Sequence, residues 1–269
     1  MSLNFKEYDY FVMNGAGNRF IMISLNENQE TLRSSEVEYL LVNGWVFDQI
    51  IYIKKNNYGF SYTIQNKDGS SAEQCGNGAR CVVSLIQQVY RTYSFQLISP
   101  AGEIYHTKRD GEIGISLGTP TFIAQHQHSK PNNCYIDLNE NEIPYTFVGL
   151  GNPHAVIFHE KDLNYSLAEI AQAFNASGHF PEGINVGLGK IINNKTISLK
   201  VYERGAGETL ACGTGAAAAA VVAIKQFKQN NPTTIHMNGG SLLVEVDQNT
   251  GVVWLFGPAE IETNGKVTL

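Results

Sequence analysis

The hydrophobic pattern of the chain changes period from strand-like to helix-like in the same order twice. Near the start, Tyr10-Phe11-Val12-Met13 and Phe20-Ile21-Met22-Ile23 flank Asn14-Gly15-Ala16-Gly17-Asn18, which predicts a strand, a glycine turn and a strand. Val37, Leu40 and Leu41 share a face behind Ser34-Ser35-Glu36, predicting a short helix over 34–43 with a capping start. Gln49-Ile50-Ile51-Tyr52-Ile53 reads as a strand, and Phe60-Ser61-Tyr62-Thr63-Ile64 alternates like another. A turn at Asn66-Lys67-Asp68-Gly69-Ser70 leads to Val82, Val83, Leu85, Ile86 and Val89, which have helical spacing. Short strands are expected at 94–98, 102–108 and 113–117. Around Gly118-Thr119-Pro120 the order starts again. Residues 121–140 are polar, with turn signals at Pro131-Asn132-Asn133. Strands are expected at 145–150 and 155–158, around Gly151-Asn152-Pro153-His154. A helix is expected at 167–173, a strand at 196–202, and closing strands at 241–246 and 252–256. Between them, Ala216 to Ile224 is apolar nearly all round and predicts a buried helix. The expected fold class is α/β (α+β), with two similar halves, each a sheet around one central helix, joined near Pro120.

Each central helix is preceded by the same motif. The first copy is Cys75-Gly76-Asn77-Gly78-Ala79-Arg80-Cys81 and the second is Cys212-Gly213-Thr214-Gly215-Ala216. A helix N-terminus offers unpaired N–H donors and partial positive charge, and small residues leave those donors bare. Such an end binds an anion and lowers the pKa of a neighbouring thiol. Two such ends at the seam between halves could hold one carboxylate and stabilise charge flowing into it when the adjacent carbon loses a proton. One cysteine as thiolate would take that proton. The other, as thiol, would return a proton to the opposite face. The stereocentre would invert without a cofactor, and the two thiols would titrate as a coupled pair. Adjacent Glu203 and Arg204, just ahead of the second motif, could clamp a distant ammonium and carboxylate.

Composition narrows the alternatives. The net charge of −6 and the lack of a basic stripe argue against a nucleic-acid partner. No apolar run reaches transmembrane length and Met1 to Glu7 shows no signal pattern, so no membrane partner and a cytoplasmic location are expected. Four cysteines in 269 residues are not a disulfide framework. Gln125-His126-Gln127-His128 lacks neighbouring third and fourth ligands and reads as a solvated loop, so no metal is expected. Cys81 reads as a packed apolar residue and Cys134 as incidental. His154 is either a structural residue of its loop or a support for the catalytic pair.

With these motifs assembled, the sequence resembles the diaminopimelate epimerase family over nearly its whole length. The resemblance is carried by 66–70 through 75–81, by Gly151-Asn152-Pro153-His154, by Phe180-Pro181 through Asn185-Val186, by Glu203-Arg204-Gly205-Ala206-Gly207-Glu208-Thr209, and by Cys212-Gly213-Thr214-Gly215. It implies conversion of LL-diaminopimelate to the meso form, in lysine and cell-wall biosynthesis, with Cys75 and Cys212 as the acid/base pair. Asn18, Gln49 and the backbone at Gly76, Asn77, Gly213 and Thr214 would hold the reacting end of this small-molecule substrate. Asn66, Asn152, Asn185, Glu203 and Arg204 would hold the distal end. It also implies rolled, mostly antiparallel sheets and a homodimer. The halves would be 1–119, with a return strand over 258–269, and 120–257. Where the family has His-Gly-Leu-Gly-Asn-Asp-Phe, this chain has Asn14-Gly15-Ala16-Gly17-Asn18-Arg19-Phe20. A racemase of the same fold acting on a histidine- or proline-like substrate is the alternative.

Overall fold

The apolar run at 20–23 and the one at 50–53 are each buried without interruption, which requires cover on both faces of a sheet. The computed structural model, which describes residues 6–72, 74–122, 134–139, 141–159 and 164–269, shows what supplies that cover. Contacts divide the chain into two compact units, Met1–Ile115 with Gly257–Leu269, and Ser116–Phe256.

The first unit contains β1 (Glu7–Gly15), β2 (Asn18–Leu25), α1 (Ser34–Val42), β3 (Gln49–Asn56), β4 (Gly59–Asn66), β5 (Ser71–Ala72), α2 (Gly76–Val89), β6 (Gln96–Ser99) and β7 (Gly102–Ile104). The hairpin of β8 (His106–Arg109) and β9 (Glu112–Ser116) follows. The second unit contains β10 (Cys134–Leu138), β11 (Asn141–Gly149), β12 (Pro153–Phe158), α3 (Leu167–Ala176), β13 (Asn185–Asn193), β14 (Thr196–Glu203) and β15 (Gly207–Thr209). Then come α4 (Gly213–Phe227), β16 (Thr233–Met237), β17 (Gly240–Val246) and β18 (Val253–Gly257), before β19 (Glu260–Thr268) returns to the first unit.

The strand order in the first unit is β19-β1-β2-β3-β4-β6-β7, with β5 beside β4. In the second it is β10-β11-β12-β13-β14-β16-β17-β18, with β15 beside β14. The two orders match strand for strand from β19 and β10 onward. The parallel pairs match too: β2–β3 and β4–β6 in one, β12–β13 and β14–β16 in the other. A parallel pair needs a crossover, and each crossover contains a helix. The fold is therefore α/β with two pseudo-symmetric halves, each mostly antiparallel.

In the first unit α1 covers one face, where Val37 and Leu40 pack with Ile21, Ile23, Ile50 and Tyr52. Helix α2 lies on the other, where a Cβ added at Gly78 would stand 2.6 Å from Ile51 Cδ1 and 3.4 Å from Phe20 Cε1. In the second unit α3 packs Leu167, Ile170 and Phe174 against Tyr145, Phe147, Ile157 and Val186. Residues Gly213–Ala223 of α4 are buried throughout, as the apolar pattern predicts.

Several elements differ from expectation. Residues 102–108 form two strands, because the chain changes partner from β6 to β9 at Tyr105. Helix α1 is capped by Arg33, whose N–H and guanidinium both go to Glu36, rather than by a serine. Strands β10, β13, β16 and β19 carry no strong apolar alternation. Residues 125–128 and the turn at 131–133 lie outside the described residues.

Strand β1 ends against α2. A Cβ on Gly15 would lie 2.9 Å from Cys81 Sγ and 3.0 Å from the Asn77 carbonyl oxygen. Gly15→Ala is expected to lower unfolding free energy by about 1–3 kcal/mol through overpacking. Urea denaturation checks this, and adding Cys81→Ala should recover part of the loss through coupling of the two sites.

Candidate active site

In both units the cysteine of the repeated motif is the N-cap of the central helix. Cys75 has an extended backbone (φ −145°, ψ 104°) and its Sγ accepts from Gly78 N at 3.4 Å. Cys212 repeats this (φ −138°, ψ 112°), with Gly215 N at 3.4 Å. Oxygen side chains are the usual N-caps, so a sulfur here sits where the helix end is most positive. The next N–H groups, on Gly76 and Asn77 and on Gly213 and Thr214, have no acceptor among the described residues. Each unit thus presents a capped sulfur beside two bare donors.

The sheet brings the remaining candidates of the first unit to the same end. Asn18 starts β2, Gln49 starts β3 and Asn66 ends β4, with Gln49 and Asn66 paired in register. Gln49 Nε2 donates to Asn66 Oδ1 at 2.9 Å, and Asn66 Nδ2 donates to Ser70 Oγ at 3.0 Å. Asn77 Nδ2 donates to Asn18 Oδ1 at 2.6 Å, tying the first turn of α2 to the start of β2. Arg19, on the opposite pleat from Asn18, donates from Nε to Glu262 at 2.6 Å and from Nη1 to the Val46 carbonyl at 3.1 Å. Asn14 donates to the same Glu262, so the return strand β19 neutralises the departure at residue 19.

The second unit builds the counterpart from different side chains. Asn152 precedes β12, Asn185 starts β13 and Glu203 ends β14. His154 is fully buried, and burial pulls its pKa down to about 3, so it is neutral. Its Nε2 lies 2.9 Å from Asn152 Oδ1, which can only accept, so Nε2 carries the proton. Asn152 Nδ2 then donates to Thr214 Oγ1 at 3.3 Å, and Thr214 Oγ1 lies 3.6 Å from Cys212 Sγ. His154 thus lies two hydrogen bonds from the Thr214 hydroxyl beside Cys212. The sequence left two readings of that residue open.

Glu203 and Arg204 diverge, as neighbours at a strand end do. Thr209 donates to the Glu203 carboxylate at 2.6 Å, and Glu203 also stands against the Cys212 thiol. Arg204 instead donates from Nη1 to the Glu182 carbonyl at 3.1 Å, and its backbone N–H goes to Asn185 Oδ1 at 2.9 Å. The single Glu-Arg clamp expected from adjacency is therefore two separate groups. Asn185, whose Nδ2 goes to the Pro153 carbonyl, holds the Arg204 backbone in place. Glu182, Thr209 and Arg80 were not singled out in the sequence. The signal for each was its place inside a quoted motif: Arg80 after Cys75, Thr209 at the end of the run from Glu203, and Glu182 between Pro181 and Asn185.

Burial, reinforced by the charge and hydrogen bond of Glu203, pushes the Cys212 thiol well up, against smaller opposite effects of Thr214 and Gly215. These effects favour the protonated thiol of Cys212 at neutral pH.

The depressed His154 pKa has a consequence for stability. Between its unfolded pKa of about 6.5 and about 3, the unfolded chain binds a proton that the folded one refuses. Stability is therefore complete above the unfolded value and falls as pH drops, by up to about 1.4 kcal/mol per pH unit. His154→Gln, which keeps a donor for Asn152, should flatten this slope in urea melts at pH 7, 5.5 and 4.

A profile of the family described as diaminopimelate epimerase matches residues 10–123 and 146–262. The diaminopimelate epimerase of Acinetobacter baumannii (strain AYE) is 32% identical over 274 residues, 97% of each chain. That of Nitrosomonas europaea is 34% identical over 272 residues, 96% of this chain and 98% of the relative. Among solved structures, a hydroxyproline epimerase from Agrobacterium vitis with bound trans-4-OH-L-proline aligns with TM-score 0.70 at 12% identity, over 100% of this chain and 94% of that one. A PhzC/PhzF protein from Clostridium difficile aligns with TM-score 0.70 at 10% identity, over 97% and 100%. The structural likenesses give the fold, and the sequence matches give the family: this chain is an isomerase that belongs to the diaminopimelate epimerase family.

Proposed function

We propose that the chain converts LL-2,6-diaminopimelate to meso-diaminopimelate by a two-base proton transfer that needs no cofactor. The observation that carries this reading is the repeated helix end, a cysteine sulfur as N-cap with two bare N–H groups beside it. The Cα–H bond breaks with its proton passing to the Cys75 thiolate, and the electron pair flows into the α-carboxylate. The N–H groups of Gly76, Asn77, Gly213 and Thr214 strengthen their bonds as that charge grows, and Asn18 and Gln49 hold the same end. Cys212, a thiol at rest, then gives its proton to the opposite face of the carbon. The cysteines finish with exchanged protonation, ready for the reverse reaction.

Arg204 is assigned to the distal carboxylate, supported by Asn66, Asn152 and Asn185, while Glu203 is assigned to Cys212. His154 supports the site through Asn152 and, being neutral and buried, is not itself the acid. The occupation of Arg19 by Glu262 and Val46 favours this substrate over a histidine-like one, because the added charge is directed to β19. A proline-like substrate would leave Arg204 without a partner. The family resemblance further supports a cytoplasmic homodimer. No described helix is long and apolar enough to cross a membrane.

Incubation in deuterated water with LL-diaminopimelate, proline and histidine in parallel tests the substrate. Deuterium should enter one α-carbon of diaminopimelate alone. Cys75→Ser and Cys212→Ser should each lower kcat by roughly a thousandfold; wild-type turnover in either would rule out the two-cysteine mechanism.

The acid role of Cys212 is tested by alkylation followed peptide by peptide across pH. Removing the neighbouring anion in Glu203→Gln should move the Cys212 profile to lower pH. Thr214→Val, which removes a hydrogen bond that favours the thiolate, should move it to higher pH.

A further inference from the structure

Among the described residues Arg80 is the largest fully buried side chain, and two of its nitrogens, Nε and Nη1, have no hydrogen-bond partner there. Its third, Nη2, donates to Asn77 Oδ1 at 3.0 Å. No salt bridge to it occurs among the described residues. Burying a guanidinium without a carboxylate costs several kcal/mol. The architecture does not demand it: five residues after the other capping cysteine, helix α4 has Ala217, also fully buried.

We propose that Arg80 is a positioning residue that fixes which way the Asn77 and Asn18 amides face, so that Asn18 turns its oxygen to α2 and its NH2 group away from it. A guanidinium only donates, so the atom of Asn77 facing it must be Oδ1. The Asn77 NH2 group then faces Asn18, at 2.6 Å, and the facing atom of Asn18 must in turn be its Oδ1. The Asn18 NH2 group is left pointing away from α2, where it donates to Asp48 Oδ2 at 3.5 Å, a carboxylate that favours the same orientation. The two ends of an amide are nearly equal in size, so without a donor-only neighbour Asn77 could rotate by half a turn and set its oxygen against Asn18, whose amide is otherwise held by the 3.5 Å bond to Asp48. A reversed Asn18 would offer a carbonyl oxygen to the substrate carboxylate. This inference rests on the reading that Asn18 holds the reacting end.

Asn77→Asp separates positioning from mere structure. The new carboxylate pairs with Arg80 and can only accept, so Asn18 must rotate to donate to it. The KM for LL-diaminopimelate should rise about tenfold or more, as a hydrogen bond to a charged group is replaced by repulsion, with no fall in Tm. In 15N–1H spectra of the unliganded enzyme, the Asn18 side-chain amide should move and exchange more slowly. Arg80→Met should raise KM similarly, and Arg80→Lys should restore most of it; should Arg80→Met not fold, Asn77→Asp still decides. An unchanged Asn18 amide in Asn77→Asp overturns the proposal. A rotated Asn18 with unchanged KM supports the control by Arg80 and overturns instead the placing of Asn18 at the reacting carboxylate.

Discussion

Everything in the site depends on a helix that begins at a cysteine sulfur. An ordinary oxygen cap would satisfy the same N–H and stabilise the helix at least as well. A sulfur placed there gains something else: the helix end favours its charged form, and the two N–H groups ahead of it stay available. The glycines of the motif are part of this arrangement. Gly78 lets the first turn of α2 touch Ile51 and Phe20, and a Cβ on Gly215 would stand 3.1 Å from Val201 Cγ2. The helix ends are thus seated on their sheets by close contact, which fixes where each sulfur points.

The repeat keeps the architecture and changes the wiring. In the first unit the hydrogen bonds run from helix to strand, from Arg80 to Asn77 to Asn18. In the second they start on the strand, from His154 to Asn152 to Thr214, and reach the sulfur of Cys212. Asn18 and Asn152 stand at the start of matching strands, Asn18 as the first residue of β2 and Asn152 just before β12. One ends its chain by facing outward, and the other passes its proton donors on to the cap. The first chain is oriented by a fully buried guanidinium that never accepts; in the second, the neutral His154 ring and the Asn152 amide orient each other, Nε2 donating to Oδ1.

Much of this was legible in the chain because it rests on local rules. The glycine spacing after each cysteine, the alternation at 60–64 and at 196–202, and the all-apolar stretch after Cys212 depend on period and propensity alone. Strand β13 was hidden because Gly187 and Gly189 stand where β-branched residues would announce a strand; a Cβ on Gly189 would lie 2.6 Å from the Phe158 ring. Strands β10 and β19 lie at sheet edges and bury little, so their polar sequences resemble loops. Divergence of Glu203 from Arg204 was invisible to adjacency, since it depends on where β14 ends and on the carbonyl of Glu182, supplied from a distant loop.

Pseudo-symmetry poses a chemical problem that the wiring answers. A two-base inversion needs one sulfur with a proton and one without. Two identical caps would share one affinity for protons, and the useful mixed state would be only one of several. Unequal surroundings split such a pair. Here groups of opposite sign stand at matching positions on duplicated elements. Glu203 ends β14 beside Cys212 where Asn66 ends β4, so an anion stands in one unit where a neutral amide stands in the other. Arg80 lies in α2 where Ala217 lies in α4, and its charge couples to Cys75. Anion beside one cap and cation behind the other both favour a proton on Cys212 over Cys75. If both cysteines act on one carbon as proposed, these side-chain differences between duplicated elements would bias which sulfur holds the proton.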